Sequence, residues 1–253
     1  MKRLGLMSLL GVLFTSCIGA SAQTVSSRPG NYSGGEGICD RPPRQEPKRE
    51  NRVIKSGLLA PSERDRTDHH GFLTQRNTGL IRLLPREVFD WRVYKARGKL
   101  DLNGDGAYYS FAFISHEYGW GSDIELDHGK LSSGLAGADI GILANLGDVA
   151  LDTLSLNDPL VSFLATYKPT RREREARVEQ ERLRYGFSVD GIYYRRTLPG
   201  LVDSTYLVRS VVYRTSDLLV AFRVVREDTD GSLIIAWKRL KRYGTPNLDY
   251  LAT

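Results

Sequence analysis

From Phe187 to Leu240 the chain is a series of strand-patterned segments separated by turn residues. Strands this close together are served by an antiparallel sheet. Phe187–Val189 and Ile192–Thr197 flank Asp190-Gly191, the dipeptide of a two-residue hairpin turn. Thr205–Arg214, Leu218–Arg226 and Ser232–Leu240 follow, joined by Thr215–Asp217 and Glu227–Gly231. Period-two spacing gives Phe222 and Val224 a common face, and likewise Leu233, Ile235 and Trp237. The expectation is a meander with one buried side, covered by the helix that precedes it.

That helix is read from the charges of Thr170–Arg184. Arg171–Glu175, Glu173–Arg177 and Arg177–Glu181 are opposite-charge pairs at helical spacing, each worth about 0.2–0.5 kcal/mol. Its apolar face is thin: Ala176, Val178 and Leu183. Asn157 is placed to cap a start near Pro159, with proline at the first helical position. One long charged helix is therefore expected near Pro159–Arg184.

Upstream, Ser62 with Asp65 three residues on reads as the cap of a short helix, and Leu80–Leu84 as a strand ended by Pro85. Trp91–Leu100 and Ala107–Ser115 read as strands around Asn103-Gly104-Asp105-Gly106, with Tyr109, Phe111 and Phe113 on one face. Asp123–Asp127 and Lys130–Leu135 read as a hairpin around His128-Gly129, while Gly134–Gly147 leaves strand and loop open. The expected fold class is α+β: mainly antiparallel β-sheet with the C-terminal meander and the charged helix, after a flexible N-terminal tether.

The tether follows a leader. Lys2 and Arg3 precede an uncharged apolar run, Leu4–Ile18, and then Ala20-Ser21-Ala22. A basic start, an apolar middle and small residues before a cut have the form of a secretory signal peptide over residues 1–22. The run is shorter than the roughly 20 residues a membrane helix needs, and no later segment is apolar enough to span. Cleavage after Ala22 would make Gln23 the first residue. Leu13-Phe14-Thr15-Ser16-Cys17 offers a second end, since it resembles the bacterial lipoprotein box. That resemblance implies lipidation at Cys17 and a membrane tether, with Phe14 where the family usually has Leu. Cys17 and Cys39 are the only cysteines, so either event leaves Cys39 without an intramolecular partner and the fold without a disulfide framework. Residues 23–52 are polar and rich in Ser, Gly, Pro and mixed charge. Ordering them would cost entropy with almost nothing apolar to bury, so they read as a disordered tether. The remaining 53–253 suit one domain, or two lobes of about 53–166 and 167–253.

Charge divides the chain differently. Residues 23–99 hold 16 basic and 9 acidic residues, 100–166 hold 10 acidic residues and only Lys130, and 167–253 hold 17 basic and 11 acidic. An acidic middle between basic flanks suits self-complementary packing, or a site for a cation or a basic partner. The flanking arginines alternate with glutamates rather than clustering, and export removes the usual ligand, so no nucleic-acid partner is expected.

Three groups could carry chemistry. Asp101-Leu102-Asn103-Gly104-Asp105-Gly106 is similar to the start of calcium loops in EF-hand, dockerin and bacterial adhesion-repeat families. That similarity implies Asp101, Asn103 and Asp105 as oxygen ligands. It ends where Tyr109 and Ala112 take the ninth and twelfth positions, and the bare reading is a hairpin turn. Asp123, Glu125 and Asp127 alternate with Ile124 and Leu126, which on a strand points all three acids to one face. Solvent, arginines of the charged helix or a cation would then offset their repulsion. His116-Glu117-Tyr118-Gly119-Trp120 combines an acid–base pair with rings able to stack on a sugar. The second His of a zinc-protease pattern is missing, because Trp120 stands there. The chain has no GxSxG, GxGxxG, phosphate loop or HExxH.

The leading expectation is an exported, periplasmic or secreted protein, without enzymatic activity, that binds an envelope or extracellular partner; it is lipid-anchored if Cys17 is modified. One alternative is a secreted, glycan-directed hydrolase using His116 and Glu117, with Tyr118, Trp120, Asp123, Glu125 and Asp127 around the substrate. The other is a calcium-stabilised β module. No cofactor is expected apart from that calcium.

Overall fold

Every residue of the strand Thr205–Val212 is buried, which a sheet with one wet side cannot achieve. Its sequence explains this, because both alternating sets are largely apolar. Tyr206 and Val208 enter one core, and Leu207 and Val211 enter another on the opposite face. This strand therefore lies in the middle layer of three, and the solvent face expected of it is covered.

The computed structural model describes residues 57–89, 105–116 and 121–249, all within one compact unit, Glu46–Thr253. The leader, the tether, the Trp91–Leu100 strand, Asp101, Asn103 and Glu117–Trp120 lie outside the described residues. Eleven strands are described: β1 (Thr78–Leu83), β2 (Tyr108–Tyr109), β3 (Ile124–Asp127), β4 (Lys130–Ser132), β5 (Ile140–Gly147), β6 (Phe187–Val189), β7 (Ile192–Arg195), β8 (Thr197–Pro199), β9 (Thr205–Val212), β10 (Ser216–Glu227) and β11 (Leu233–Arg242). They form a seven-stranded sheet, β1-β11-β10-β9-β5-β7-β6, and a four-stranded sheet, β2-β3-β4-β8. Every strand pairing is antiparallel. The protein is thus α+β and mainly antiparallel β.

The small sheet contributes Tyr109, Ile124, Leu126, Leu131 and Leu198 to the first core. The large sheet meets them with Val220, Phe222, Leu233, Ile235 and Trp237. Tyr206 stacks on Phe222 with centroids 5.1 Å apart. The second core lies between the other face of the large sheet and two helices, which supply Val161, Leu164, Ala176 and Leu183. Burying large aliphatic and aromatic side chains at about 1.5–3 kcal/mol each makes these two cores the main stabilising term.

Two hairpins follow directly from their turns. Asp190 and Gly191 have φ of 51° and 79°, and His128 and Gly129 have φ of 49° and 68°. Two successive positive-φ residues are what a tight hairpin turn requires. Ser62 caps the helix Glu63–Asp68 in a reciprocal box with Asp65, which also pairs with Arg226 of β10.

The Pro159–Arg184 stretch resolves into two helices, Pro159–Thr166 and Glu173–Tyr185. Asp158 caps the first in place of Asn157: its carboxylate accepts the Leu160 amide at 2.8 Å, and Pro159 sits at the first position. The chain turns extended at Tyr167 (ψ 128°), and Pro169 soon follows. The second helix carries Glu173 and Glu175 in its first turn and Arg182 and Arg184 in its last, the polarity its dipole favours. It buries Ala176 and Leu183, but Val178 is 66% exposed. Glu173–Arg177 pairs as expected at 3.1 Å; Glu175 is taken by Arg172, and Arg171 lies near Asp249.

Ala107–Ser115 departs from a single strand. Only Tyr108–Tyr109 pair as β2, and the chain then turns so that Phe111 is buried while Phe113 is 57% exposed. Gly134–Gly147 resolves as a loop leading into β5. Among the described residues no helix is long and apolar enough to cross a membrane.

Candidate functional site

The helix Pro159–Thr166 ends against β9 and β10, and its last carbonyls need donors. Arg209, on the helix-facing side of β9, supplies one: its Nη1 donates to the Leu164 carbonyl at 3.1 Å. Tyr243, just after β11, supplies another, its hydroxyl donating to the Ala165 carbonyl at 2.9 Å. A guanidinium at a helix C-terminus also complements the helix dipole.

Arg209 is 1% exposed and cannot be buried alone. Asp217, 2% exposed at the start of β10, is its counter-ion. Nη2 donates to Oδ2 at 2.9 Å, and Nε lies 2.7 Å from Oδ1. Burial pushes the Asp217 carboxyl up from its ordinary value, and Arg209 pulls against that. The guanidinium carbon stands 3.2 Å from the centre of the Tyr243 ring, and Lys241 Nζ stands 4.6 Å from it. The Tyr243 amide closes the arrangement by donating to the Asp217 carbonyl at 2.8 Å.

Above this assembly opens a cleft of about 610 Å³. One wall is the link after the helix, with Thr166, Tyr167, Lys168 and Arg171; the other is the chain after β11, with Gly244, Thr245 and Asn247. Arg209, Asp217 and Tyr243 lie at its base. The base is tied to its surroundings through the Leu164 carbonyl, the Asp217 carboxylate and the Tyr243 ring. Burial drives the Tyr167 hydroxyl well above the ordinary tyrosine range, so it stays a neutral donor. The single carboxylate lining the cleft among the described residues is committed to Arg209. Such a site can hold and orient a ligand by charge, ring contact and hydrogen bonds.

A second, more polar cleft of about 510 Å³ lies between His69, Phe72, Gln75, Asp152, Asp203 and Arg223. Arg223 is shared there between Asp148 at 2.8 Å and Asp203 at 3.4 Å.

Of the residues picked out from the sequence, those described line neither of these two clefts. Asp123 is fully buried and does not share the outer face with Glu125 and Asp127. Its Oδ2 accepts the Phe111 amide at 2.6 Å and the Ala112 amide at 3.3 Å, and its Oδ1 accepts the Ser210 hydroxyl at 2.6 Å. Desolvation pushes its pKa up to about 6 against those bonds. It braces the loop after β2 onto β9. Glu125 is paired at 2.9 Å with Arg86, which lies outside the charged helix. Asp127 accepts from His128 Nδ1 at 3.0 Å, and Glu87 accepts the His128 amide at 2.9 Å. Glu87, Asp127 and His128 are the one grouping among the described residues with metal-ligand spacing; Glu87 meets the backbone amide of His128 rather than its ring. His116 donates from Nδ1 to the Tyr108 carbonyl at 3.1 Å and sits edge-on to Tyr109, with centroids 4.9 Å apart. Asp105 opens a single 3₁₀ turn, Asp105–Ala107. Glu117, Tyr118, Trp120, Asp101 and Asn103 lie outside the described residues, as do the processing positions Cys17, Ala22 and Gln23.

The cleft residues escaped the sequence reading. One signal was present: Arg209 is the only charge in Tyr206–Val212, and an arginine within such an apolar run needs a buried partner. That the partner is Asp217, eight positions on, follows from the β9–β10 pairing.

Set against protein-family models, curated proteins and solved structures, the chain matches none of them.

Proposed function

We propose that this is an exported protein that binds a ligand without transforming it, and that the cleft over Arg209 and Asp217 is where the ligand sits. The carrying observation is the locked base of that cleft. A buried, bidentate ion pair under an aromatic ring gives a preorganised floor, which lowers the ordering cost of binding. The single lining carboxylate among the described residues is held by Arg209 and is not poised for proton transfer. Export rests on Lys2-Arg3, the Leu4–Ile18 run and Ala20-Ser21-Ala22. The polar residues 23–52 would then act as a spacer.

The test is native mass spectrometry of the full-length gene product isolated from its own host. The expected species begins at Gln23, or at a lipid-modified Cys17, and carries a small bound molecule. Gly244→Trp should abolish that molecule while leaving the fold intact. Gly244 lines the cleft, and a side chain there would start in open space. Retention of residues 1–22, or a bound molecule indifferent to Gly244→Trp, would overturn the respective half of the proposal.

A further inference from the structure

We infer that the cleft selects a carboxylate ligand with an apolar body; this rests on the reading of the cleft as the ligand site. Charge decides the first half. Among the described residues Lys168, Arg171 and Arg209 line the cleft against the one carboxylate of Asp217. Asp217 and Arg209 neutralise each other at the base. What remains toward the mouth is Lys168, which has no ion-pair partner among the described residues, and Arg171. Arg171 lies 3.7 Å from Asp249, with both side chains more than half exposed, a pairing that solvent leaves weak and exchangeable. Lys241 adds a further cation beside the Tyr243 ring. The field at the mouth therefore attracts an anion and repels an organic cation.

The walls decide the second half. Ala165, Pro169, Pro246 and the rings of Tyr167 and Tyr243 present apolar surface beside those cations. A volume of about 610 Å³ falls within the range of small-molecule pockets, which combine apolar walls with a few polar groups. Thr245 and Asn247 supply such groups. A phosphate would seek converging amides at a helix N-terminus. The nearest one, at Glu173, already has Glu173 and Glu175 in its first turn, so its positive end is answered by the chain itself. One carboxylate, met by Lys168 and Arg171, fits what is left.

The test is a titration of the ¹⁵N-labelled full chain with hexanoate, hexanamide, hexylamine and hexyl phosphate, following the amides of Thr245 and Asn247. Hexanoate should shift these amides and bind at least about tenfold more tightly than hexanamide, and hexylamine should leave them unmoved. Lys168→Gln with Arg171→Gln should bring hexanoate down to the level of hexanamide. Equal binding of acid and amide, preference for hexylamine or hexyl phosphate, absence of a hexanoate response, or indifference to the double substitution would each overturn the inference. If hexanoate fails while a molecule bound in the host is still lost on Gly244→Trp, the carboxylate class falls and the binding reading stands. If no such molecule exists, the binding reading falls on its own evidence.

Discussion

Arg209 and Asp217 are each unaffordable alone and stable together. Both are about 98–99% buried, and removing one partner strands the other charge away from water, at a cost of about 3–5 kcal/mol. Replacing both with apolar groups removes the charge problem and leaves chiefly the Leu164 carbonyl without its donor, at roughly 1–3 kcal/mol. The expected outcome in urea unfolding is therefore a strong loss for Arg209→Met, a strong loss for Asp217→Leu, and a double variant more stable than either. Single losses below about 1 kcal/mol would mean that water reaches the pair. Arg209 was visible in the sequence as an anomaly within an apolar strand. Tyr243 was not, since a tyrosine after a strand is commonplace and its role depends on where the helix Pro159–Thr166 ends.

Among the elements, those defined by their own residues were legible. The Asp190-Gly191 and His128-Gly129 hairpins are set by two adjacent residues, and the Ser62–Asp65 box by a span of four. Ala107–Ser115 was not legible, because a distant residue overrides its alternation. The Asp123 carboxylate takes the amides of Phe111 and Ala112 out of the ladder, and Ser110 bridges to Ser115 instead. Where β5 enters the large sheet, close backbone contact also outranks local pattern. A Cβ on Gly141 would lie 2.1 Å from the Ser133 carbonyl carbon and 2.2 Å from the Gly134 nitrogen. Neither neighbour is a side chain able to swing away. Gly141→Ala is expected to destabilise the protein by about 1–3 kcal/mol or more. Gly71→Ala, where the added group meets nothing within 4 Å, should be neutral or mildly stabilising. Equal thermal midpoints for the two variants would show that the β4–β5 approach is looser than described.

At the scale of the molecule, two buried acids give stability a distinctive pH dependence. Desolvation raises Asp123 and Asp139 from 3.8 to about 6, and for Asp139 the nearby charge of Asp123 adds to it. A raised folded-state pKa means the native protein holds these protons more tightly than the unfolded chain. Their contribution is fully present below about 3.8 and is lost as pH rises through about 6. Asp123→Asn keeps an acceptor for the Phe111 amide and cannot ionise. Its stability relative to the parent should therefore rise between about pH 4 and 6 and level off above. Parallel urea-unfolding profiles across that interval would contradict the assignment. The sequence by itself determined the β9-β10-β11 meander, the hairpin turns and the charged helical stretch, because strand alternation, turn dipeptides and helical charge spacing act between neighbouring residues; that β5 separates β9 from β7 and that β8 joins the other sheet was beyond it. Only the tertiary structure decided that β9 is buried on both faces, that Asp123 turns inward, and that Arg209, Asp217 and Tyr243 meet under one cleft. Those outcomes depend on which surfaces are removed from water together, and desolvation is a property of the packed layers rather than of any local segment.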